Sequence, residues 1–362
     1  MRKTILHALR SLGVAGAAAL ALFASPPAGA ETFTSLSTGD SYTPPAASGT
    51  FDEASPIQYQ QRRIGVHPPY TLSDFSGETA WSWHITDPVT GACSWYKLPG
   101  YAISSSYPLR NGDAPQGILS GGRIVGEISL TALGSLWNPY CNGAGVLLDN
   151  GAIPRTLQLY NMRLDRLWDG IRFGPTACMA TPQSCIHVVA DTWASNVRDD
   201  WIEIDGTYGT LWVVRSMCDR CFGGISATIG GASDHSADTI YLIDSLVRLY
   251  GWPYSATKPT YHVGFLKLDQ TKSPLVVVDN TIIAFDTYTS TESSHWAWGW
   301  QRIRACTGNY LLYLKDGPLP TGFPAPPSCF TVLTGAEARA MWEVERREFV
   351  EAHPQIDRLA GE

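Results

Sequence analysis

Two short segments hold most of the residues whose types and spacing suit chemistry: Trp168-Asp169-Gly170-Ile171-Arg172 and Arg198-Asp199-Asp200-Trp201-Ile202-Glu203-Ile204. If both are strands paired at Ile171 and Ile202, equivalent outward side chains stack about 4.8 Å apart. Extending the alignment to Ile225 stacks Arg172, Glu203 and Ser226 in one row, and Asp169, Asp200 and Gly223 in another. Asp199 lies beside the second row, and Asp205 two residues past Glu203. Carboxyls this close raise one another's pKa, which suits proton transfer. A carboxylate pair serves as acid and base, or acid and nucleophile, in glycoside hydrolysis. The same oxygens can hold Ca²⁺, which takes six to eight oxygen ligands. Asp and Asn also simply form turns. These readings stay open at this point.

The elements that must position these residues form a repeat. Leu159-Tyr160-Asn161, Val189-Ala190-Asp191, Val213-Val214-Arg215, Leu242-Ile243-Asp244 and Val277-Val278-Asp279 share an apolar residue followed by a polar turn residue, at spacings of 30, 24, 29 and 35. Second strands follow at Ile171, Ile202 and Ile225. Periods of roughly 20 to 50 residues indicate a solenoid, in which strands too short to bury a core alone share one by stacking. The repeat lacks helices and is too short for a four-stranded propeller blade. The expected fold is all-β, a right-handed parallel β-helix. His187 falls on an inward slot, where a bulge is expected.

The boundaries read as a signal peptide over 1–30, a flexible leader over 31–56, a β-rich N-terminal cover over 57–117 and the β-helix over 118–333. A capping helix follows over 334–353. Thr334 with Glu337 has the capping-box spacing, and Pro354 ends the helix. Open sheet ends invite aggregation, so the two flanking segments are expected to cover them. Arg2, Lys3 and Arg10, an apolar run from Leu12 to Phe23, and Ala28-Gly29-Ala30 make an export signal cleaved after Ala30. The destination is the periplasm or the exterior.

The exported chain carries 23 basic and 33 acidic residues, a charge of −10. That sign disfavours nucleic acid and anionic membranes, and a polyanionic substrate would need a local basic patch. A monomer acting on a polysaccharide or oligosaccharide is expected. All eight cysteines lie beyond the signal; disulfides in sequential order are expected, Cys178 with Cys185 and Cys218 with Cys221.

Arg198-Asp199-Asp200-Trp201-Ile202-Glu203-Ile204 resembles the double-aspartate strand of the pectin-lyase-like superfamily, and is closest to polygalacturonase-type glycoside hydrolases. Trp168-Asp169-Gly170-Ile171 resembles that family's Asn-Thr-Asp-Gly element. Gly223-Gly224-Ile225-Ser226 resembles its Gly-His-Gly element, with Gly223 where His stands. Arg248 lies near its Arg-x-Lys element, without the Lys. The resemblance spans about residues 155 to 285 and implies inverting hydrolysis by Asp169, Asp199 and Asp200. Arg172, Glu203, Arg198, Arg220 and Arg248 are the candidate substrate contacts, since arginine forks fit carboxylates. The ten cations from Arg110 to Arg248 are all arginine, for which compositional bias is the slightly preferred reading. Trp296, Trp298 and Trp300 would share one face of a strand, either buried under a loop, the preferred reading, or exposed as a platform for sugar rings. A glycan-binding module without catalysis and a Ca²⁺-stabilised structural protein are the competing functions.

Overall fold

The computed structural model describes residues 31–44, 70–73, 80–87, 92–97, 101–103, 109–111, 116–120, 123–126, 131, 144–148, 156–173, 185–204, 209–227, 234–258, 260–289, 293–354 and 356. The strands between residues 70 and 126 are described by their backbone alone. The signal segment, Asp205, Cys141 and Cys178 lie outside these residues.

The chain visits three sheets in rotation, of six, eight and eleven strands, each stacked almost wholly in parallel. The six-stranded sheet runs Leu109–Asn111, Ala144–Leu148, Asp169–Phe173, Asp200–Glu203, Gly223–Ala227 and Leu266–Leu268. In register, Val146, Ile171, Ile202, Ile225 and Leu266 form one inward aliphatic column. Leu159, Val189, Val213, Leu242 and Val278 form the second. Leu164, Ala194, Cys218, Val247, Ile283 and Leu311 form the third. All three converge on one buried core, where each aliphatic side chain contributes about 1.5–3 kcal/mol by leaving water. Parallel pairing extends upstream of residue 118: Tyr70–Ser73 pairs with Gln116–Ser120, and Ala80–Asp87 with Arg123–Gly126.

The repeated polar residue is the corner between the eight- and eleven-stranded sheets. Asn161, Asp191, Arg215, Asp244 and Asn280 have φ between 45° and 53°, the left-handed region that Asn and Asp enter most readily among residues with a side chain. In the last repeat the corner is Asn280 and not Asp279. Each corner N–H donates to the next circuit, as from Asp191 to Val214 O (3.1 Å) and from Arg215 to Ile243 O (3.0 Å). Thr192, Ser216 and Ser245 follow the corners as a buried hydroxyl ladder, with Ser216 Oγ accepting from Thr192 N and Ser245 Oγ from Ser216 N.

Five expectations need correction. Residues 31–44, expected as flexible leader, form a short antiparallel hairpin strapped across the eight-stranded sheet. Phe33 and Tyr42 pack on Trp212, itself stacked at 3.9 Å on Tyr241. Buried Asp279 accepts hydrogen bonds from Ser35 Oγ (2.7 Å), Leu36 N (2.9 Å) and Ser37 N (3.2 Å). The C-terminal helix, α2 (Gly335–Ala352), does form, but it lies along the outer face of the eleven-stranded sheet and caps no end. Its Ala338, Trp342 and Phe349 cover Trp193, Met217, Leu246, Ile282 and Leu312. Thr334 precedes α2 without a side-chain cap. The tryptophan segment is a second helix, α1 (Ser293–Arg302). At helical spacing Trp296 and Trp300 enter the core against Phe265, which leaves no row for a sugar platform. His187 makes no bulge, pairing in register with Leu157 and Leu211 and packing 4.4 Å from the Phe173 ring.

The 31–44 hairpin and the residue that follows α2 meet the repeat in one ionic network. Arg215 binds Glu31 and Asp191, and His353 reaches Asp191 Oδ1 at 3.0 Å. Burial pushes Asp191 up, but hydrogen bonds from His353 and Arg215 outweigh it and hold the carboxyl below 3.8. Cys218 pairs with Cys221 and Cys306 with Cys329; Cys185 is also disulfide-bonded. Among the described residues no helix is long and apolar enough to cross a membrane.

Asp279→Ala leaves the turn of the strap without its acceptor. We expect a loss of about 1–3 kcal/mol, read as a lower Tm, with residues 31–44 newly open to limited proteolysis.

Candidate functional site

The register that the spacing predicts is the one observed. Ile171 pairs with Ile202 and Arg172 with Glu203. Asp200 pairs with Gly223 and Glu203 with Ser226. The next strand adds Lys267 opposite Ser226. Carboxylate oxygens of Asp169, Asp199 and Asp200 all lie within 4.8 Å of one another. Asp169 and Asp200 are buried at 0% and 1% exposure, whereas Asp199 is only partly so.

Each buried aspartate has a defined partner. Asp169 accepts the backbone N–H of Asp200 (3.1 Å) and forms a short ion pair with Arg172. Arg172 also binds Glu203 Oε2, from Nη2 at 2.7 Å and from Nε at 3.1 Å. Lys267 Nζ lies 3.0 Å from Asp200 Oδ2. Gly223 makes room for that carboxylate, since a β-carbon there would sit 2.3 Å from Asp200 Oδ1 and 2.8 Å from Val263 Cγ2. Any side chain at 223 would need the space Asp200 fills, so the position suits glycine.

Four carboxyls share two cations, so charge balances when two carry protons. Burial, then the charges of Asp200 and Asp169, raise Asp199 well above 3.8; Lys267 and Arg172 pull the other way without prevailing. Burial and Asp169 push Glu203 up to about 10 against the opposing pull of Arg172. Asp199 is thus the partly exposed member of the cluster, its carboxyl held above the usual carboxylate range, beside carboxylates held by cations. The nearest oxygens are closer than the roughly 6.5–9.5 Å at which inverting carboxyl pairs seat a water. On separation alone the cluster differs from the inverting arrangement.

The donor set does not fit Ca²⁺. Arg172 and Lys267 already sit on two of the three aspartates, whereas the ion wants six to eight oxygens.

The other candidate contacts are placed differently. Arg198, 2% exposed, stacks on Trp252 at 4.5 Å and donates to Pro253 O, so it anchors the loop over 250–264 beside Asp199. Arg220 lies 4.3 Å from the Tyr250 ring, and Arg248 pairs with Asp219 at 3.7 Å. They flank that loop and do not join the aspartates. Sequence reasoning missed Lys267. Its signal was Leu266-Lys267-Leu268, a strand whose alternation continues the Arg172 row, but the long loop before it hides the repeat.

No protein-family model matches the chain, and neither does any curated protein or solved structure.

Because Glu203 and Asp199 bind protons when folded that the unfolded chain releases, stability falls as pH rises above Glu203's ordinary 4.5 towards about 10. Glu203→Gln keeps the neutral form. Its Tm advantage over wild type should grow between about pH 5 and about pH 9, and a constant difference would count against the shift.

Proposed function

We propose that the chain is an exported right-handed parallel β-helix of the pectin-lyase-like kind that cleaves glycosidic bonds in an extracellular polysaccharide. The rotation of strands through three in-register parallel sheets supports the fold, and the disulfides accord with export. The observation that carries the activity is the cluster of three carboxyls within 4.8 Å, of which only the one raised by its neighbours, Asp199, reaches solvent. Asp199 gives its proton to the leaving glycosidic oxygen as that bond breaks, and in hydrolysis a water adds to the sugar carbon and gives up its proton to the carboxylate of Asp169 or Asp200. Asp200, held by Lys267, carries negative charge beside the developing positive charge of the sugar. Arg172 fixes Asp169 and Glu203 and so sets the distance between Asp169 and the pair. Burial of Asp169 and Asp200 favours one second reading, a glycan-binding module in which the cluster is structural.

The test is reducing-end release from pectic, alginate and neutral polysaccharides. Asp199→Asn should lower release by about 10²–10⁴-fold, the scale of general-acid catalysis, with the fold intact by circular dichroism. Activity should fall as pH rises through the raised pKa of Asp199, because the proton it donates is lost. A chelator should leave the rate unchanged. Ultraviolet absorbance of the products would mark a lyase. No release from any substrate by folded wild type would favour the binding module.

A further inference from the structure

We infer that His295 is a further substrate-contacting residue of this site, offering its imidazole to a sugar hydroxyl beside Lys267. The inference rests on the proposed reading of the aspartate cluster as a glycan site.

Placement is the first argument. The row of Asp169, Asp200 and Gly223 continues to Gly264, which stands two residues before Leu266 as Gly223 stands two before Ile225. His295, in the first turn of α1, lies over Gly264; a β-carbon on that glycine would sit 3.4 Å from the β-carbon of His295. The imidazole is therefore the next side chain, past two glycines, along the row that carries the aspartates. Its charged neighbour is Lys267, the same ammonium that holds Asp200.

The second argument is that no structural hydrogen bond accounts for it. His262 has both ring nitrogens on backbone carbonyls, at 2.6 Å to Val263 O and 2.5 Å to Thr287 O. His235 pairs with Asp238, and His353 with Asp191 and Phe349 O. His295 Nδ1 is buried with no hydrogen-bond partner among the described residues, which is uncommon for a buried polar atom. Its side chain stays partly exposed. Burial and the charge of Lys267 hold the ring below 6.5. A neutral ring accepts as well as donates, which matches a hydroxyl, whereas Lys267 matches an anionic or electron-rich oxygen next to it.

The experiment uses the exported chain carrying Asp199→Asn to stop turnover, with trigalacturonate and cellotriose as probes. The His295 ring resonance is assigned by its loss in His295→Gln. Bound sugar should move that resonance, and His295→Ala should weaken binding about three- to tenfold, the scale of one neutral hydrogen bond. His295→Gln, which can still donate and accept, should lose less. Without sugar, Lys267→Met made together with Asp200→Asn, so that no charge is left buried alone, should raise the titration midpoint of His295. Sugar binding with the resonance unmoved and affinity unchanged in His295→Ala overturns this inference alone. Failure of every saccharide to bind overturns the glycan reading with it.

Discussion

In-register parallel stacking is the constraint on which the rest of the structure depends. The strands are mostly three to five residues long, too short to bury a core or satisfy their own backbone groups. Each circuit gives its N–H and C=O groups to the circuits on either side, and its inward residues to columns such as Leu159, Val189 and Val213. A one-residue slip would turn every inward side chain outward. Register is thus enforced by the whole core at once, and loops can vary in length provided the strands return to the same columns.

The aspartate site follows from that constraint. Stacking brings residues 31 apart in the chain, Asp169 and Asp200, into hydrogen-bond range, and puts Arg172 against Glu203. Buried like charges are costly unless paired or protonated. Here two are paired with Arg172 and Lys267, and the raised pKa values of Asp199 and Glu203 mark the protons that relieve the rest. The same geometry that makes the cluster costly raises the Asp199 carboxyl above the usual carboxylate range.

The segments outside the repeat have separate physical roles. The 31–44 strap shields the aromatic stack of Trp212 and Tyr241, α2 covers the apolar outer face of the eleven-stranded sheet, and α1 drives Trp296 and Trp300 into the core beside Leu266–Leu268. Arg215 shows how these covers interlock with the repeat: a left-handed corner residue of unfavoured type, it is held by Asp191 from the preceding circuit and by Glu31 of the strap.

By itself the sequence determined the strand pattern, the pairing of Ile171, Ile202 and Ile225 and the stacking of Arg172 on Glu203, because period-two alternation and recurrent corner residues are local signals that survive stacking. It also marked Cys218 and Cys221 as a bridge. Tertiary structure alone decided what the intervening segments do. Trp296, Trp298 and Trp300 alternate like a strand, yet Trp296 and Trp300 also stand at helical spacing, and the open core beside Leu266 selects the helix. Residues 31–44 have the composition of a mobile leader and are ordered by Asp279 and Trp212, more than 160 residues away in the chain. Lys267 and His295 reach the site only because a loop over 250–264 and a helix return the chain to it. Contacts at such separations leave no periodic trace, so which residues complete the site is settled by packing.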